Sequence, residues 1–146
     1  MIRTATFLAA ALVAAPAAAD LESVASPNPV AQTMDALVAA AEGAGATIFA
    51  RIDHAAGARE AGMELPEAQV LIFGNPALGT PAMQEDIRAG LMLPLRVLVY
   101  ADDDGETRVL WEEPDDMFDD IDVDDDADYV AAMEDALDAL TARAVE

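Results

Sequence analysis

The chain of 146 residues contains no cysteine, no lysine and a single histidine, His54. Without cysteine there is no disulfide, no thiol nucleophile and no cysteine-based zinc or iron–sulfur site. One histidine excludes a multi-histidine zinc centre within one chain. Without lysine there is no Schiff base and no P-loop. Serine occurs only at Ser23 and Ser26, and neither sits in a Gly-x-Ser-x-Gly elbow. Positive charge is scarce too. The seven basic residues, all arginine, face 29 acids, for a formal charge of −22. Phosphate backbones and anionic membrane surfaces repel such a chain, so nucleic acid is excluded as a partner. This inventory argues against an enzyme, and no cofactor or resident metal is expected.

What is present supports one folded domain. The apolar fraction of 54% is enough for a core despite the charge. At the N-terminus, Met1–Ile2–Arg3 is a short positive segment, and residues 4–15 form an apolar run. Pro16 and Ala17–Ala18–Ala19 follow. This pattern predicts a signal peptide over residues 1–19, cleaved after Ala19, and a periplasmic or secreted protein. The run is shorter than the ~20 residues that cross a bilayer, so no membrane attachment is expected after cleavage. Arg3 leaves with the signal, taking the charge of residues 20–146 from −22 to −23.

Spacing along residues 20–146 predicts alternating strands and helices. Leu21–Ser26 reads as a short strand. Val30, Met34, Leu37, Val38 and Ala41 form one apolar helical stripe, capped by Ser26 or Asn28 and stopped by Gly43 and Gly45. Thr47–Ile52 reads as a strand, and Asp53 caps a short helix over His54–Ala61 that Gly62 ends. The continuous apolar run Gln69–Phe73 predicts a strand covered on both faces. Thr80–Pro81 predicts the next helix start, with Met83 and Ile87 on its packing face and Gly90 at its end. Leu95–Tyr100 and Glu106–Trp111 predict a hairpin about Asp104–Gly105 in a type I′ turn. That register sets Leu98 opposite Trp111, Val99 opposite Leu110 and Tyr100 opposite Val109. Both sides of the hairpin are then apolar, so a helix layer is expected on one and a second subunit on the other. Residues 112–128 hold eleven acids in seventeen positions and predict a solvated, mobile loop. Val130, Met133, Leu137, Leu140 and Ala144 predict a C-terminal amphipathic helix. The fold class is α+β: a single domain with a largely antiparallel sheet, helices on one face, and the order β-α-β-(short α)-β-α-β-β-α.

Several blocks carry a family likeness: Ser26–Pro27, Phe49–Ala50–Arg51–Ile52–Asp53–His54–Ala55, Leu71–Ile72–Phe73–Gly74–Asn75–Pro76, Gly79–Thr80–Pro81, Met83–Gln84, and Leu93–Pro94–Leu95–Arg96–Val97–Leu98–Val99–Tyr100 with Asp102. In this order the chain resembles the domain of unknown function 302 family. The resemblance implies a small α+β domain of TATA-binding-protein-like topology, paired as a homodimer, with no established reaction. After Trp111 the chain departs from the family pattern, because the following loop is nearly all acid.

Three functions compete at this stage. The first is a non-enzymatic periplasmic or secreted binding and interaction domain, homodimeric, with any small-molecule ligand unknown. The second is a ligand-binding protein or enzyme with Asp53, His54, Gly74, Asn75 and Thr80 at one pocket. His54 would serve as base, and the loop amides at a helix start would hold an anion. The plainer account is that Asp53 caps a helix and Gly74, Asn75 and Pro76 make a turn. A joint site requires parallel strands before the two motifs; antiparallel strands put them at opposite sheet edges. The third is a cation binder through the acidic loop. No EF-hand register fits: Gly105 at the sixth loop position places Tyr100 first and Trp111 twelfth, and a start at Asp122 places Ala127 sixth and Met133 twelfth. Met34, Met83 and Met133 recur at helix packing positions, which marks them as core filling rather than copper ligands.

Overall fold

The computed structural model describes residues 21–146; the expected signal peptide lies outside them. The strands are β1 (Leu21–Ser26), β2 (Thr47–Asp53), β3 (Ala68–Gly74), β4 (Leu95–Ala101) and β5 (Thr107–Glu112). The helices are α1 (Val30–Gly43), α2 (His54–Glu60), α3 (Pro76–Glu85), α4 (Ala89–Met92), α5 (Pro114–Met117) and α6 (Asp128–Ala144). The strands form one sheet in the order β1-β5-β4-β3-β2, and every neighbouring pair is antiparallel. The α+β class and the antiparallel sheet are as the sequence predicts.

Strand alternation divides the sheet into two unlike faces. On one side, Leu71, Phe73, Leu95, Val97, Val99, Val109 and Trp111 join a single core with Val30, Met34, Leu37 and Ala41 of α1 and Val130, Met133, Leu137 and Leu140 of α6. Helices α1 and α6 also pack on each other. On the other side, register aligns Ile52 with Val70, Val70 with Leu98, and Leu98 with Leu110. None of these four belongs to the core. Ile52 is 42% exposed, and Val70, Ile72, Leu98, Tyr100 and Leu110 are half-buried. The run Gln69–Phe73 is therefore covered on one face only.

Four local expectations are corrected. The β4–β5 register is shifted by one residue, pairing Val97 with Trp111, Leu98 with Leu110 and Val99 with Val109. The cause is the turn. The Asp102 carboxylate accepts from the amides of Asp104 (3.1 Å) and Glu106 (2.9 Å), and the Gly105 amide donates to the Asp102 carbonyl. Only Gly105 takes positive φ, +80°. This is a three-residue loop with a glycine bulge rather than a type I′ pair.

Helix α3 starts at Pro76 and is capped by Asn75, whose side chain accepts from the Ala77 amide at 2.9 Å. It runs through Pro81, so Thr80 lies inside the helix and is not its cap. It ends at Glu85, where Asp86 turns extended, and Gly90 belongs to the separate α4. Ile87 is 77% exposed, off the packing face. At α1, neither Ser26 nor Asn28 caps the helix; Pro29 holds that position without a side-chain cap. The Ser26 hydroxyl instead pairs with Thr33 Oγ1 at 2.7 Å and accepts from the Asn28 amide.

The acidic stretch is more ordered than expected. It includes α5, and Met117 and Phe118 are buried in the core. The Asp122 amide donates to Asp86 and the Asp124 amide to Glu85, both at 3.1 Å. Apolar anchors and these two backbone bonds hold the loop while its carboxylates stay at the surface.

Candidate functional site

The five candidate residues divide into two groups. Asp53 ends β2 and His54 follows it, and Gly74 ends β3 and Asn75 follows it. Because β2 and β3 are antiparallel, Asp53 pairs with Gln69, while Gly74 pairs with Thr47 at the opposite end. The two motifs share no pocket. At the first, the Asp53 carboxylate accepts from the Ala56 amide at 2.8 Å, capping α2, and His54 is exposed. Asp53→Ala is expected to destabilise the domain by about 1 kcal/mol, the ordinary worth of an N-cap. Urea unfolding measures it, and an unchanged midpoint would show that the cap contributes nothing.

At the second, Gly74, Asn75 and Thr80 line a cleft of about 250 Å³. Its apolar walls are Phe49, Leu78, Met83, Leu93, Leu95 and Met133. Phe49 is placed there by a β-bulge: Ile48 pairs with Phe73 and Ala50 with Ile72, leaving Phe49 without a partner between them. Phe49 is 55% exposed, at the lip of the cleft, with Cε2 over Gly74. The peptide bond Leu93–Pro94, also in the lining, is cis. Sequence reasoning placed Met83 and Met133 on packing faces and did not find Phe49 or Leu93. No local pattern marks a bulge or joins five separate elements.

The acids make two kinds of local environment. The Arg88 guanidinium beside Asp86, and Arg108 beside Asp102, hold those carboxyls below the usual carboxylate range. Burial raises Glu113 against its Trp111 Nε1 hydrogen bond of 3.0 Å. Burial, with Asp115 and Glu113 nearby, also raises Glu134. Burial pushes the Tyr129 phenol up to about 12.

The linkage has a definite sign. Groups raised when folded favour the native state as they protonate, so stability grows as pH falls from neutral towards 4.5, the ordinary value of Glu113 and Glu134. Groups lowered when folded stabilise above 3.8 and lose that contribution as pH falls further. Thermal melts are expected to peak near pH 5, above their values at about pH 8 and at about pH 3. Added salt is expected to raise the melting temperature more at about pH 8, where self-repulsion is strongest. A melting temperature that climbs steadily to about pH 8 would contradict this balance.

Among the described residues, Asp124, Asp125 and Asp126 bring carboxylate oxygens within 4.8 Å of one another, all exposed. An acidic surface commonly carries such groups without an ion.

The family model for the domain of unknown function DUF302 matches residues 22–142. The chain belongs to this family. A crystal structure of an uncharacterized conserved DUF302 protein from Bacillus stearothermophilus superposes with a TM-score of 0.77, covering 85% of this chain and 97% of that one. At 18% identity that likeness shows the fold alone. The DUF302 chain is also 42% identical over 94 residues to proteins named fluoride-specific ion channel FluC 1 in Brucella suis and Brucella abortus, and FluC 2 in Brucella melitensis. The match covers 64% of this chain and 37% of the Brucella suis protein, so the chain spans little more than a third of that relative. Among the described residues of this DUF302 domain, no helix is long and apolar enough to cross a membrane.

Proposed function

We propose that this DUF302 domain is a non-enzymatic, periplasmic or secreted interaction module that works as a homodimer, pairing through the sheet face opposite α1 and α6. The supporting observation is the apolar row Ile52, Val70, Leu98 and Leu110, which lies outside the core. Charge agrees with it. By register, this face carries Arg96 and Arg108, which ion-pair with the acids beside them, Arg96 with Glu112 and Arg108 with Asp102 and Glu106. Two copies of a chain with formal charge −22 repel one another, and this face is where they approach at least cost. Native mass spectrometry of the purified protein tests the reading. A dimer is expected at micromolar concentration, and monomer alone would refute it.

The named relatives support a second reading. Their shared stretch is a minor part of each channel protein. The corresponding domain here offers no membrane-crossing helix among its described residues. We infer that this domain serves in connection with a fluoride channel. Loss of the gene is then expected to change fluoride sensitivity of the host, and unchanged sensitivity would end this reading.

A further inference from the structure

We propose that the cleft between the end of β3, α3 and α6 binds a compact, uncharged, mainly apolar molecule carrying one hydrogen-bond acceptor. The cleft is a cavity of about 250 Å³. A cavity of about 150 Å³ takes benzene, so this one holds a one- or two-ring molecule and is too small for a peptide segment. Its lining contains no charged side chain. An anion would lack a basic partner and meet the field of an acidic protein, and a cation would lack a carboxylate. A neutral ligand is what remains.

Three features indicate a built cavity rather than a packing fault. The β-bulge re-aims Phe49 to form one wall. Two positions in the wall have no side chain. A Cβ on Gly79 would meet Leu93 Cδ1 at 3.3 Å, tighter than an ordinary contact, whereas one on Gly74 would sit in ordinary contact with Pro94 and Phe49. Met83 and Met133 supply flexible thioethers that adapt to an aromatic guest. The polar contribution is small and specific. Asn75 uses its carbonyl oxygen to cap Ala77, which leaves its amide group to donate to a ligand carbonyl or hydroxyl.

The test uses the full mature chain with ¹³C-labelled methionine methyls, titrated with 1-indanone, cyclohexanone and benzoate. 1-Indanone and cyclohexanone are expected to shift the Met83 and Met133 methyls with dissociation constants of about 10–1000 µM. Benzoate is expected to shift neither. Gly79→Leu projects a side chain into the cavity and is expected to abolish the shifts. Phe49→Ala, at the exposed lip, is expected to weaken 1-indanone by about fivefold or more while the domain stays folded. Asn75→Asp keeps the Ala77 cap but removes the amide donor, and is expected to weaken cyclohexanone. The proposal is overturned by no shift at about 1 mM probe, by equal shifts at Met63 and Met117, by binding of benzoate, or by unaltered binding in folded Gly79→Leu or Phe49→Ala. Shifts of the same methyls on dilution without probe would also overturn it, because a second copy would then be the occupant. The cleft lies on the helix side of the sheet, so Leu98→Glu, which targets the pairing face, is expected to leave probe binding intact. Failure of pairing and failure of ligand binding are thereby distinguishable.

Discussion

Leu98→Glu is expected to separate the proposed homodimer into folded monomers. Leu98 lies at the middle of β4, the central strand, between Val70 and Leu110 on the face opposite α1 and α6. In a single copy it is half-buried and outside the core, so glutamate there meets solvent and the monomer keeps its stability. In the proposed pair, the carboxylate would enter an apolar interface in both copies. An uncompensated charge of this kind costs several kcal/mol, which raises the dissociation constant by about 100-fold or more. Sedimentation equilibrium measures the change, and a thermal melt checks the fold. An unchanged dissociation constant would place the interface elsewhere.

The adjacent strand β3 provides the second large effect. Phe73 is 2% exposed and packs in the core, with Leu95 and Ile48 as its strand partners. Phe73→Ala is expected to destabilise by about 3–5 kcal/mol, lost transfer energy plus a cavity. That is a large share of the ~5–15 kcal/mol available to a domain, so the variant sits at the edge of folding. Ile72, one residue earlier, points the other way. In a monomeric Leu98→Glu background, Ile72→Ala is expected to cost less than about 1.5 kcal/mol, because its side chain is already half in water. Urea unfolding of both variants gives the contrast. Equal costs would mean that the second face is packed within one copy.

These two residues also show what was legible in the sequence. Alternation and turn residues revealed the strands, and Gly62, at φ +75°, stops α2 where its chemistry suggested. The β4–β5 register was not legible, because both faces of that hairpin are apolar and a one-residue slip keeps an apolar residue at every inward position. Its true register depends on Asp102 gathering the turn amides and accepting from Arg108 Nε at 3.0 Å, a set of side-chain contacts that no periodicity records. Asn75–Pro76 and Thr80–Pro81 both satisfy the chemistry of a helix start, and only the chain path after β3 selects the first. The candidate site was half legible. Gly74, Asn75 and Thr80 do line a cleft, but its apolar walls come from β2, α3, β4 with the segment before it, and α6, which the fold alone brings together. Asp53 and His54 looked chemical because they are adjacent in sequence, and the antiparallel sheet carries them to the far edge.

The pairing face is tested most directly by isotope-filtered nuclear Overhauser spectroscopy on a mixture of labelled and unlabelled protein. Intermolecular contacts are expected among the methyls of Val70, Ile72, Leu98 and Leu110. Intermolecular contacts confined to Ile87 and Leu91, which are 77% and 83% exposed beside α3, or none at all, would contradict the assignment of this sheet face as the surface through which the domain acts.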